Sequence, residues 1–210
     1  MSGIMLAFVG SGGGALVIGQ AFGGGFFAGQ IGVSGVATHN LVVGPVASAQ
    51  NSSKAWKNAN SATPGADSVI NGPQNTADMV ADGNSTVYPA AHFCNDLVIG
   101  GFSDWYMPAK NELEVCYYNL KPGTTSNNTS SGINANAVPA RASNYTAGTP
   151  AQTSAAAFQS TGAEKFSGIY WSSTENSALY GWVQIFSDGN QYGASKPYAT
   201  GVRAVRRVAV

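Results

Sequence analysis

The sequence predicts an α+β fold: a small antiparallel sheet, two helices and long loops, preceded by a glycine-rich arm. Three observations predict it. Residues 108–120 place Leu113, Cys116, Tyr117 and Leu120 at i, i+3, i+4 and i+7, one face of a helix. Residues 180–187 and 190–194 are strand-like and flank Asp188-Gly189, a two-residue hairpin signal. Further runs of β-branched and aromatic residues are punctuated by Gly and Pro.

Residues 1–25 are apolar and rich in glycine, which costs about 1 kcal/mol per helical position relative to alanine. Ile4, Leu6, Phe8, Val9, Leu16 and Phe22 are too apolar for a solvated linker. This segment is read as an arm that packs on another subunit or a neighbouring protein; the alternative is a first strand pair of the domain at 26–210. Residues 26–47 read as two strands, with Phe26, Phe27, Ile31 and Val33 before Gly35, and Leu41 to Val43 before Pro45. Residues 48–87 read as a long ordered loop with short helical pieces. Residues 88–97 read as a short helix with Pro89 in its first turn, where a missing N–H costs nothing. Pro108 opens the second helix and Lys121-Pro122-Gly123 ends it. Residues 123–153, rich in Ser, Thr, Asn, Ala and Gly with little to bury, read as an extended surface loop. Strands return at 169–173 and in the hairpin, and residues 201–209 close the domain.

Composition narrows the function. The chain has 210 residues, and only 10% are Asp, Glu, Lys or Arg, against about 25% in typical domains. Ten basic groups balance ten acidic ones, so no net field steers a charged partner. Such a neutral, hydrogen-bonding surface suits carbohydrate contact or dense subunit packing. It does not suit nucleic acid, which needs clustered Lys and Arg. Arg203, Arg206 and Arg207 cluster near the C-terminus and are expected to pair with local carboxylates. The first 53 residues hold no charged side chain, so the positive n-region of a secretory signal is not visible in them and none is expected. No apolar run approaches the ~20 residues of a membrane span.

Two elements identify a resemblance. Residues 101–113, GFSDWYMPAKNEL, resemble the G-[FY]-[ST]-D-W-R-[LM]-P-[TS]-x-x-E-L element of a domain family that also forms the C-terminal part of bacterial collagen-like adhesins. The family's second hallmark is matched by Tyr170, Trp171-Ser172-Ser173-Thr174, Trp182, Ser187-Asp188-Gly189 and Val202-Arg203-Ala204-Val205-Arg206. The resemblance implies a C-type lectin-like fold whose loop-rich face carries the binding surface. Relatives of this kind occur as adhesins and in phage tail fibres and receptor-binding proteins. Tyr106 stands where many relatives have Arg, so an ion pair made by that Arg is expected to be missing. The motif residues also have structural work to do. Asp104 is expected to cap the following helix, and Trp105, Trp171 and Trp182 to be buried anchors.

The residues offer little catalytic chemistry. His39 and His92 lie far apart, and His92-Phe93-Cys94 falls short of the four ligands of a structural zinc site. Glu112 and Glu114, at i and i+2 on a helix, point apart. Cys94 and Cys116 read as two buried thiols, with one bridge as the alternative. Formylglycine-generating oxidases share the lectin-like fold and use paired cysteines, but these two fall in or near helices. GSGGGALVIG lacks the lysine of a phosphate loop. No metal or cofactor is expected, calcium included.

The expected function is therefore non-enzymatic: a phage virion structural protein, with a tail-fibre or spike role touching the host surface. A capsid decoration protein and a bacterial envelope adhesin are the alternatives. Other virion proteins are expected partners through the arm, a host surface glycan or protein through the lectin-like face, and a trimer is the expected assembly. The binding face is assigned to Asn176, Ser177, Tyr180, Ser187, Asn190, Tyr192, Ser195, Tyr198 and Thr200, since Tyr, Ser and Asn are what adaptable recognition surfaces use.

Overall fold

A computed structural model describes residues 15–210. The chain begins with strands β1 (Ala21–Phe22), β2 (Gly25–Val33) and β3 (Val36–Val43). A single helical turn, α1 (Val46–Ala49), leads to β4 (Gln50–Ala55). Three helices follow: α2 (Gly72–Asp82), α3 (Pro89–Asn95) and α4 (Lys110–Leu120). After a long connection and a 3₁₀ turn at Ala156–Phe158 come β5 (Ile169–Glu175), β6 (Tyr180–Ile185), β7 (Gln191–Ser195), β8 (Ala199–Arg203) and β9 (Val205–Ala209). The architecture is α+β.

The strands form two sheets, ordered β1-β2-β3-β9 and β4-β8-β5-β6-β7. Every pairing is antiparallel except β5 with β8, where Tyr170 registers with Gly201. The chain passes from one sheet to the other twice, and the two passages are tied together. Ala204, between β8 and β9, donates its N–H to the Ala49 carbonyl and accepts from Gly44 N–H. The five-stranded sheet has a core on each side. Tyr170 and Phe186 pack with Leu113, Tyr117 and Leu120 of α4 on one side. Trp171, Val183 and Val202 pack with Trp56, Met79 and Cys94 on the other. This follows from strand alternation, which sends successive residues to opposite faces.

The strands at 26–47, the helix at 88–97 and α4 stand where the sequence places them. Residues 15–25 are tied to the first sheet, with Ala21 opposite Phe26 and Phe22 opposite Gly25. The assembly role expected of residues 1–14 lies outside the described residues.

Several expectations are corrected. Residues 48–87 are not a loop with short helical pieces: they hold β4, paired with β8, and α2, an 11-residue helix. α2 escapes sequence reading because Met79 and Val80 are its large apolar residues, so its periodic signal is weak. The hairpin is looser than a two-residue turn. β6 ends at Ile185 and β7 starts at Gln191, because Phe186 leaves the strand to stack on Phe166 with ring centroids 3.9 Å apart. Gly189 is required there: its φ is +80°, and a Cβ would lie 2.2 Å from the Tyr117 ring. Residues 123–153 do bury side chains, Ala137 and Tyr145 among them. Asn127 knots that segment: its amide donates to the carbonyls of Thr146, Ala147 and Pro150, and its Oδ1 accepts from Lys121 Nζ.

α4 is buried nearly all round rather than on one face, Glu112 and Glu114 included. The two carboxylates point to different partners, as their spacing predicts. Glu112 accepts from Arg207 Nε at 2.8 Å, from Tyr106 OH and from Ala109 N–H. Glu114 accepts from Arg141, Tyr145 and Asn134. Asp104 does not cap the helix. It lies six residues upstream and forms a bidentate pair with Arg206 at 2.7 and 2.8 Å, while Glu112 turns back on Ala109 N–H to cap α4. The C-terminal arginines are all paired, but with carboxylates distant in sequence: Arg203 with Glu164, Arg206 with Asp104 and Arg207 with Glu112.

Candidate functional site

The face of the second sheet that carries Tyr180 and Trp182 opens to solvent at the β6–β7 edge. Tyr180, Trp182 and Gln184 share that face by alternation. Their register partners on β7 are Ser195, Gly193 and Gln191. Trp182, which the motif predicts to be a buried anchor, is instead half-buried. Trp56 takes that anchoring role, fully buried, with Nε1 donating to the Ser172 carbonyl at 2.8 Å.

A cleft of about 230 Å³ opens beside the Trp182 indole, lined by Lys110, Ser130, Ser131, Asn144 and Gln191. The Lys110 ammonium sits 4.2 Å from the indole ring centre, close enough for a cation–π contact. Lys110 is placed there by the motif itself: it is the first residue of α4, and its N–H donates to Thr174 Oγ1 at 2.9 Å. Burial pushes the Lys110 amine below the usual lysine range, against an upward pull from the Glu114 carboxylate. Gln191 is fixed, its N–H donating to Ser131 Oγ at 3.0 Å. By contrast, the side chains of Lys110, Ser130 and Asn144 make no hydrogen bond among the described residues. The loop crosses Tyr145 closely at Gly132, where φ is +121° and a Cβ would meet the ring at 2.4 Å.

The nine residues assigned from sequence do not form one patch. Tyr180 and Ser195 face each other on the Trp182 side, and Asn176 lies over Gly193 beside them. Tyr192 registers with Val183 and so points to the opposite face. Ser187 and Asn190 lie in the connection at the far end of β6 and β7, and Ser177 in the turn before β6. Tyr198 is an exposed turn residue. Thr200 is structural, its hydroxyl donating to the Ile169 carbonyl at 2.8 Å. Lys110, Ser130, Asn144, Trp182 and Gln191, which line the cleft, are not among those nine. Position parity with Tyr180 was the available signal for Trp182; the rest reach the cleft through tertiary contacts.

Elsewhere, Cys94 and Cys116 are free, buried and in separate cores, and burial pushes both thiols well above the ordinary range. His92 Nε2 lies 2.7 Å from the Gly83 carbonyl, and His39 pairs with Thr38. Among the described residues no three His, Cys, Asp or Glu side chains gather as metal ligands, and no helix is long and apolar enough to cross a membrane.

No curated protein matches the chain. A fimbrial protein from Bacteroides ovatus is similar in structure at a TM-score of 0.44 and 14% identity, over 79% of this chain and 35% of that one. This chain thus spans about a third of that protein's length. The Lcl C-terminal domain family matches residues 49–206, which include both motif elements, and the chain belongs to that family.

Proposed function

We propose that this chain is a non-enzymatic recognition protein of the phage virion surface, a tail-fibre or spike component whose C-type lectin-like domain contacts glycans of the host. The observation that carries the reading is the Trp182 cleft, an open aromatic surface ringed by hydrogen-bonding groups on a chain with few charges. Polar, weakly charged surfaces with exposed aromatic side chains suit repeated contact with hydroxyl-rich ligands. Binding needs no calcium in this reading: Lys121 Nζ holds the Thr125 and Pro150 carbonyls and Asn127, fixing a loop that a bound ion could otherwise organise. The glycine-rich arm joins the chain to its neighbours as a trimer, which light scattering of the purified protein would test.

Capsid decoration is the second reading. Val33 and Val36, 65% and 70% exposed on the first sheet, favour it as a packing surface. Binding to host cells and to a panel of bacterial surface glycans separates the two. Saturable binding that Tyr180→Ala weakens several-fold, with Tyr192→Ala within twofold of the parent, supports recognition at the Trp182 face. No binding at high micromolar concentration rejects it in favour of the decoration role.

A further inference from the structure

We infer that the cleft between Lys110, Trp182 and Asn144 seats a single uncharged pyranose ring, its C–H face on the indole and its hydroxyls on Lys110, Ser130 and Asn144. This deepens the recognition reading above and rests on it.

Size sets the first limit. The cleft, at about 230 Å³, falls below the roughly 300–1,000 Å³ of pockets for drug-sized ligands, a size that encloses about one ring. Hydrogen-bonding capacity sets the second. Lys110 offers three donors, and Ser130 and Asn144 each offer a donor and an acceptor. None of these side chains makes a hydrogen bond to the described residues; Lys110 makes only its cation–π contact with Trp182. Polar groups that converge on an open aromatic surface without mutual bonds match a ligand that alternates C–H faces with hydroxyls. Trp182 supplies that surface, with a negative ring face that attracts polarised hydrogens.

Charge sets the third limit. The Lys110 ammonium already lies on the indole face, and the Glu114 carboxylate acts on it from the same helix. The other lining side chains are neutral. Bidentate recognition of carboxylate or phosphate uses the arginine fork, whereas a lysine offers a point charge; each arginine of this chain is committed to a carboxylate, so no fork reaches the cleft. Lys110 therefore acts as a hydrogen-bond donor to hydroxyls rather than as the counter-ion of an acidic sugar.

The other three tryptophans are at most 2% exposed, so acrylamide quenching of intrinsic fluorescence reports on Trp182. The full chain would be titrated with the methyl pyranosides of glucose, galactose and mannose, and with methyl glucuronide and galacturonide. Saturable protection from quenching by at least one neutral pyranoside, weakened at least fivefold in Lys110→Met and Asn144→Ala, supports the assignment. Circular dichroism confirms that the variants fold. Protection by none of the neutral sugars, or uronides binding at least tenfold more tightly, overturns it. Host-cell binding is measured in parallel with Trp182→Ala. Undiminished binding by that variant rejects the cleft and leaves the recognition reading standing. Failure of the unaltered chain to bind cells rejects the recognition reading, and the sugar titration then judges the cleft separately.

Discussion

Replacing Arg207 with Met removes the guanidinium that neutralises Glu112. Glu112 is fully buried, and its pair with Arg207 Nε is 2.8 Å long. Breaking a buried pair from one side typically costs about 3–5 kcal/mol, because a charge is left without its partner. In a domain of this size each kcal/mol moves Tm by roughly 2–4 °C, so the expected fall at neutral pH is about 6–20 °C. The cost depends on pH, with a definite sign. Burial pushes the Glu112 carboxyl up, while Arg207, Tyr106 OH and Ala109 N–H pull it down. Without Arg207 the upward push grows. A carboxyl raised above its unfolded value of about 4.3 binds its proton more tightly when folded. Stability then falls as pH rises from the unfolded pKa to the folded one. The deficit of Arg207→Met is therefore smallest near the unfolded carboxyl value and grows as pH rises from 4.5 to 7.5. A remainder of about 1 kcal/mol, from the lost bond to the Ile70 carbonyl, persists at every pH. Thermal unfolding of the parent, Arg207→Met, Glu112→Gln and the double variant across that range measures both quantities. The double variant recovers much of the loss, since no charge is stranded. Equal deficits at pH 4.5 and 7.5, or a double variant no better than Arg207→Met, would refute the reasoning.

Two further outcomes are expected. Cys94 and Cys116 are buried with thiols raised by desolvation, so a disulfide reagent labels neither in native buffer and both in denaturant; rapid native labelling of either contradicts their placement. Lys121→Met leaves the Thr125 carbonyl without its donor, while the Pro150 carbonyl and Asn127 Oδ1 each lose one of two donors and keep Asn127 Nδ2 and Tyr117 OH, at about 1–3 kcal/mol in all. Hydrogen exchange then accelerates in residues 123–153 while the strands keep their protection, and an even change across the molecule argues against a local knot.

Tyr106 illustrates how a departure from a family pattern is absorbed. The sequence implies a lost ion pair at that position. In the fold Tyr106 donates to Glu112 and accepts from Arg207, so the basic partner arrives from β9, 101 residues away. The arginine cluster tells the same story. Charge scarcity predicts that Arg203, Arg206 and Arg207 are paired, but their carboxylates lie 39 to 102 residues off.

The sequence by itself determined the α+β class, the β2–β3 pair, α3, α4 and the strands around the W-S-S-T motif. Those elements carry local signals: 3.6-residue periodicity, a proline in a first turn, alternation bounded by glycine. It also determined the family, through two motif elements that frame the domain. Only the tertiary structure decided which exposed residues share a face. Tyr180 and Tyr192 look equivalent in sequence, yet register sets them on opposite sides of one sheet. Lys110, Ser130, Asn144 and Trp182 come from a helix start, two points of an irregular loop and a strand. Their convergence depends on how α4 and the Asn127-knotted loop dock over β6, a property of long-range packing that no local pattern encodes.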